Sequence, residues 1–211
     1  MISLIAVVAL LQSETAEETF KHLEESLVQA KSVRIKGQLD IAMGGQKMTG
    51  SGILLLKKEN KARISLTGAK GNPWSVSDGT KVTVDPRQAG LDSATFDAPK
   101  ALNSRVATAF VRWGFVDLAD LPRRIKVFDT DPTQRMKLSD FKFGEKDGDL
   151  RTLTFVLTDG DAPVDIKIWI DPKTLALKKR SVSIPKMNAT FTETYEEFTL
   201  NGEIPDDSFK P

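Results

Sequence analysis

The sequence contains no cysteine. That excludes from it a disulfide framework, a thiolate metal site, a cysteine nucleophile and a lipidated N-terminal cysteine. There is one histidine, His22, so a Ser-His-Asp triad or a histidine-based acid–base pair would have to use it. Charge of either sign is not in excess: 30 Lys and Arg stand against 29 Asp and Glu, a net +1. A nucleic-acid binder needs a basic excess or stripe, so that class is set aside. Two short basic runs, Arg123-Arg124-Ile125-Lys126 and Lys178-Lys179-Arg180, read as solvated faces. Long apolar runs are missing too. Met1–Leu11 carries a single polar side chain, but a bilayer span needs about 20 apolar residues. Its length suits the apolar region of an export signal, although no Lys or Arg precedes it. Residues 1–14 are therefore read as a signal-like segment and 15–211 as one domain, expected in the periplasm.

What is present is alternation. After a capping box, Thr15 with Glu18, residues Phe20, Leu23, Leu27 and Ala30 recur at helical spacing to about Lys31,. His22 lies off that stripe and reads as a surface residue. From Val33 the period becomes two: Val33, Ile35, Leu39, Ile41 and Met43 alternate with polar neighbours, the mark of an antiparallel strand with one wet face. Gly44-Gly45 signals a hairpin. The pattern continues through "GILLLKK", "ARISLTG" and the strands around Asp78. A helical stretch, Asp97 to Trp113, interrupts it, with Leu102, Val106, Ala109, Phe110 and Trp113 on one face and Gly114 as the stop,. A short "FVDLADLP" element follows. Strands are then expected over roughly 136–146, 149–158, 164–171, 175–184 and 188–200.

Aspartates recur as Asp-Gly and Asp-Pro: Asp78-Gly79, Asp85-Pro86, Asp131-Pro132, Asp147-Gly148, Asp159-Gly160 and Asp171-Pro172. A metal site needs several oxygens at one point, and these lie at separate turns. They read as hairpin turns and strand stops, because Asp-Gly supplies positive φ cheaply and proline cannot donate to a ladder. No metal or cofactor is expected.

About ten strands with one apolar face must cover that face, and a sheet of this width curls toward a barrel. The fold class expected is therefore α+β and mainly β: an incomplete antiparallel barrel, with an N-terminal helix and a central helical lid over an apolar interior. By parity, the inward side chains are Leu39, Ile41, Leu55, Ile64, Leu66, Trp74, Val82, Val84, Phe155 and Ile168, with Phe110 and Trp113 from the lid. These are the candidate ligand-binding residues.

The order of parts resembles the LolA family of periplasmic lipoprotein carriers. The resemblance rests on "GSGILLLKKENKARISL", "VSDGTKVTVDP", "IWIDPKTLALKKRSV" and "FTLNGEIPDDSFKP", spread over about 15–211. It implies a half-barrel with a lid, acyl-bearing cargo, and inner-membrane donor and outer-membrane acceptor proteins as partners of a monomer. The Arg-Pro pair usual in the strand ending at Lys57-Lys58 is missing, so the arginine that latches the lid in that family lacks a counterpart; Lys57 and Arg63 are the substitutes on offer. The family's fold transfers better than its cargo.

Three readings compete. The first is a soluble carrier of a lipoprotein or another lipidic ligand. The second is an envelope structural or sensor domain that binds a protein by its sheet edge or concave face. The third, a hydrolase using Asp159 and Asp161 or Asp206 and Asp207, lacks the apolar shelter that a general acid needs. The chain is accordingly expected to bind rather than to catalyse.

Overall fold

The computed structural model describes residues 14–68, 72–85, 95–118, 136–159 and 162–210. The order of elements is α1 (Ala16–Gln29), β1 (Ser32–Met43), β2 (Gln46–Lys57), β3 (Lys61–Gly68), β4 (Trp74–Asp78), β5 (Lys81–Val84), β6 (Thr95–Asp97), α2 (Leu102–Trp113), α3 (Phe115–Leu118), β7 (Met136–Phe143), β8 (Arg151–Asp159), β9 (Ala162–Ile170), β10 (Leu177–Ile184) and β11 (Ala189–Leu200). Residues 1–13 of the signal-like segment 1–14, the Asp131-Pro132 stop, the basic run at 123–126 and Asp161 lie outside the described residues.

The eleven strands of the described residues form one antiparallel sheet in the order β6-β5-β4-β3-β2-β1-β11-β10-β9-β8-β7. Each half is a meander, and the halves join where β1 pairs with β11. β6 and β7 are opposite edges and do not pair with each other, so the sheet is an open half-barrel. The chain passes from one edge to the other by way of α2 and α3, which lie across the concave face.

Local chemistry explains the elements. The Thr15 side chain accepts from Glu18 N at 3.2 Å, and Glu18 accepts from Thr15 N at 2.8 Å, closing the capping box on α1,. Gly44 and Gly45 have φ of +58° and +81°, which suits a two-residue hairpin between Met43 and its partner Gln46,. The Asp78 turn differs from expectation. Only Gly79 takes positive φ; Asp78 acts through its carboxylate, which accepts from Thr80 N at 2.8 Å and Lys81 N at 2.9 Å,. Asp171 caps the next loop in the same manner, accepting from Lys173 N at 2.8 Å.

The main core lies between the concave face and the helices. Leu54, Ile64, Val84, Ile166 and Ile168 from the sheet meet Phe20, Leu23, Val106 and Phe110 from the helices, all at most 3% exposed. Each such side chain contributes about 1.5–3 kcal/mol. α1 covers the β7–β8 end, where Phe20 meets Phe155 at 4.8 Å and Phe141 at 5.3 Å between ring centroids. α2 packs against α1 and the sheet, and Arg112 fastens both contacts. It donates through Nε and Nη2 to the Glu24 carboxylate at 2.7 and 3.1 Å, and through Nη1 to Met136 O at 2.7 Å.

A second, smaller cluster lies on the convex face. After β11 the chain runs behind β2–β4, placing Ile204 and Phe209 over Leu55 and Val76. Cations of the sheet hold this strap by its backbone. Lys57 Nζ donates to Ile204 O at 2.9 Å, and Arg63 Nε donates to Ser208 O at 2.7 Å. Asp206 pairs with Lys57 and Lys61 at 2.7 and 3.2 Å. No helix of the described residues is long and apolar enough to cross a membrane.

Candidate functional site

Of the twelve apolar residues expected to face inward, Ile64, Leu66, Val82, Val84, Phe110, Phe155 and Ile168 are buried in the main core, and Trp113 packs against it half-buried. Leu39 and Ile41 occupy that same concave face, opposite Glu193 and Phe191 in the register, but belong to neither buried cluster. Both are half-buried. Leu55 and Trp74 are on the other face. They line the convex cluster under the strap, because Leu55 pairs with Arg63 and Trp74 with Ser65, whose row points outward. Strand parity places them inward; both faces of β2 are apolar here, so alternation is no guide.

Beneath the joint between α2 and α3 lies a polar group inside this apolar setting. Arg180 of β10 and Glu193 of β11 are 0% exposed, and Tyr195 is 5% exposed. The Arg180 guanidinium reaches up to the end of α2, donating from Nη1 to Phe110 O at 2.8 Å and from Nη2 to Val111 O at 2.6 Å. Both lie among the last carbonyls of the helix, where intrahelical partners run out; Phe110 O also accepts from Gly114 N at 2.7 Å, and a cation there suits the helix dipole. The Glu193 carboxylate does the converse at the start of α3. It accepts from Phe115 N at 2.7 Å and Val116 N at 3.4 Å. Arg180 and Glu193 pair at 3.6 Å, and Tyr195 Oη donates to Glu193 Oε2. The lid thus bends where one buried cation closes one helix and one buried acid opens the next.

The bend itself depends on Gly114, at φ +88°. A Cβ there would overlap Arg180 Nη1 and both Glu193 oxygens. Gly52 of β2 has a matching role: the Phe115 ring lies on it, and a Cβ would stand 2.7 Å from the ring. Phe110, Phe115 and Tyr195 meet around the joint at centroid distances of 5.2–6.1 Å, and the Arg180 guanidinium sits 5.4 Å from the Phe110 ring centre,.

Burial pushes the Glu193 carboxyl above the usual carboxylate range; Arg180 and the bonds from Tyr195, Phe115 and Val116 pull it back,. Burial likewise pushes the Tyr195 phenol well up.

This arrangement corrects two expectations. Arg180 belongs to a basic run read as a solvated face, yet it is fully buried. Lys57 and Arg63, the suggested substitutes for a lid arginine, hold the strap on the convex face instead. The signal was present in the strands: Arg180 shares parity with Val182 and Ile184, and Glu193 shares parity with Phe191 and Tyr195. A charge on the apolar row of a strand calls for a partner, and these two pair across the β10–β11 ladder, where Arg180 is opposite Glu193,. The acids proposed for hydrolysis lie elsewhere: Asp206 binds two lysines of the sheet and Asp207 pairs with Lys210. Among the described residues no three or more His, Asp or Glu gather as a metal site.

No family model matches the sequence, and no curated protein sequence matches it closely. Solved structures similar to the chain include a LolA superfamily protein from Nitrosomonas europaea, at 12% identity, 94% of this chain and 99% of that one, TM-score 0.42. They also include a chain of the Pseudomonas aeruginosa MucA/MucB complex, at 13% identity, 93% of this chain and 60% of that one, TM-score 0.46. A third is LprF from Mycobacterium bovis, at 9% identity, 90% and 95% coverage, TM-score 0.41.

Proposed function

We propose that this chain is a soluble carrier of the cell envelope that shelters the acyl chains of a lipoprotein or another lipid between its concave sheet and its helical lid. The observation that carries this reading is the polar joint. The lid meets the sheet through apolar side chains, which an acyl chain can replace at about 0.8 kcal/mol gained per methylene buried. What sets the lid's position is a small number of directed bonds: those from Arg180 and Glu193 at the bend, and those from Arg112 to Glu24 and Met136 O. Such bonds are either made or broken, so the lid has a defined closed state and a place to release. Half-buried Leu39 and Ile41 extend the apolar surface past the core cluster. The role proposed is binding and transfer rather than catalysis, with export to the periplasm as the setting.

Native mass spectrometry of the exported protein, purified from envelope-containing cells without detergent, tests this. The expected result is added mass equal to a lipid or an acylated peptide. A clean apo mass, with no uptake of added acylated peptide, would overturn it.

A second reading, a domain that binds a protein partner, draws on the two sheet edges. Among the described residues, the outer sides of β6 and β7 carry no strand partner, and an extended peptide can add to such an edge. Cross-linking from an introduced residue at Lys137 of β7 would recover that partner; recovery only of lipid would remove this reading.

A further inference from the structure

Among the described residues, three buried side-chain polar atoms have no hydrogen-bond partner: Arg180 Nε, Trp113 Nε1 and Asn103 Oδ1. Asn103 is an acceptor at the start of α2. The other two are donors: Trp113 is the last residue of α2, and Arg180 comes from β10 to hold that end of the helix. Arg180 already grips the carbonyls of Phe110 and Val111; Trp113 follows two residues later and packs against the main core. A buried donor left unpaired costs free energy, and a buried indole N–H usually finds an acceptor. Two such donors, one on the last residue of α2 and one on the cation that grips that helix end, call for an oxygen that the described residues do not supply.

We infer that these donors form the polar end of the lid's binding site and take the carbonyl oxygen of the ester that joins an acyl chain to its head group. The inference rests on the carrier reading. A carbonyl is favoured over a carboxylate because Arg180 already faces Glu193 at 3.6 Å, and a second full negative charge would be desolvated among Phe110, Phe115 and Tyr195. A carbonyl oxygen has two lone pairs, enough for either donor or both. Its acyl chain continues into apolar surroundings. An alkyl ether has the same chain with a much poorer acceptor, so the site should distinguish ester from ether.

The test uses the full chain with bound lipid removed. The probes are dipalmitoyl phosphatidylethanolamine and a diacylglyceryl-cysteine peptide, each with its dihexadecyl ether analogue, and affinities are read by competition in native mass spectrometry. The wild type is expected to prefer at least one ester over its ether by about tenfold, one ordinary hydrogen bond's worth. Trp113→Phe keeps an aromatic ring but removes the donor, and should cut that preference to about threefold or less. Preference within the peptide pair alone, or the phospholipid pair alone, supports the inference and identifies the source of the ester. Equal affinity for ester and ether in the wild type overturns it, as expected if water satisfies both donors. An unchanged preference in a folded Trp113→Phe variant also overturns it. Should that variant fail to fold, the wild-type comparison decides. If the wild type takes up neither ester nor ether, the carrier reading itself fails.

Discussion

Replacing Arg180 by methionine is the sharpest perturbation of the lid joint. The substitution keeps most of the apolar stem and removes the guanidinium. It leaves Glu193 buried without its cation, and removes the guanidinium bonds to the carbonyls of Phe110 and Val111, the first of which keeps its bond from Gly114 N. Breaking one side of a buried pair costs about 3–5 kcal/mol, because the remaining charge is uncompensated. In a domain of this size each kcal/mol shifts Tm by about 2–4 °C, so a fall of roughly 10 °C is expected. Glu193→Gln alone strands Arg180 in the same way. The double variant removes both charges, and the amide oxygen introduced by Glu193→Gln can still accept from Phe115 N. It should recover about 2 kcal/mol relative to the sum of the two single changes. Urea denaturation of the four proteins gives this coupling directly. Amide exchange locates it: α2 and α3 should lose protection in the single variants while β8 and β9 keep theirs. A cost below about 1 kcal/mol for Arg180→Met, or strict additivity in the double variant, would refute the assignment of this pair as the lid's fastening.

Two further outcomes follow from the same geometry. Glu193 keeps its proton to higher pH in the folded chain than in the unfolded one. The folded state therefore binds more protons across that interval, and the Glu193 contribution to stability falls as pH rises through it, then levels off above the folded value. Asp78 and Asp171, held low by backbone amides, act oppositely: their contribution is present above the unfolded value and is lost as pH falls through the folded one. In denaturation measured from the usual carboxylate range upward in pH, the stability of the wild type relative to Glu193→Gln should fall as pH rises; parallel profiles would refute it,. On the convex face, Phe209→Ala should cost about 3 kcal/mol, the low end for a buried phenylalanine, since the strap can lift away. Limited proteolysis should then cut within residues 203–210, while lid protection stays as before.

Much of the fold was legible in the sequence because one face of the sheet is apolar and the other mostly wet. Alternation from Val33 onward located the strands, and the spacing of Leu102, Val106, Phe110 and Trp113 located the lid helix, whose first turn begins later than Asp97. Parity failed at Leu55 and Trp74, where the C-terminal strap makes a second apolar layer that no period reveals. The polar joint was missed for a different reason. Arg180 sits in a run of three cations beside a register shift between Leu177 and Lys179, and charge runs are usually solvated. Only the pairing of β10 with β11, a tertiary fact, brings Arg180 opposite Glu193.

The sheet order also sets a schedule for making the molecule. Among the described residues β1 is the first strand and β11 the last of the eleven, yet they pair at the centre. Each meander can assemble from neighbouring segments, whereas the central seam closes a loop that contains nearly everything else, and such distant contacts form slowly. Until β11 arrives, the outer side of β1 is a 12-residue edge open to unwanted pairing. Loss of the last strand therefore divides the half-barrel into two sheets, where loss of β6 or β7 would only trim a border. In a chain built in this way it is the outer side of β1 that must stay unpaired until β11 has been made.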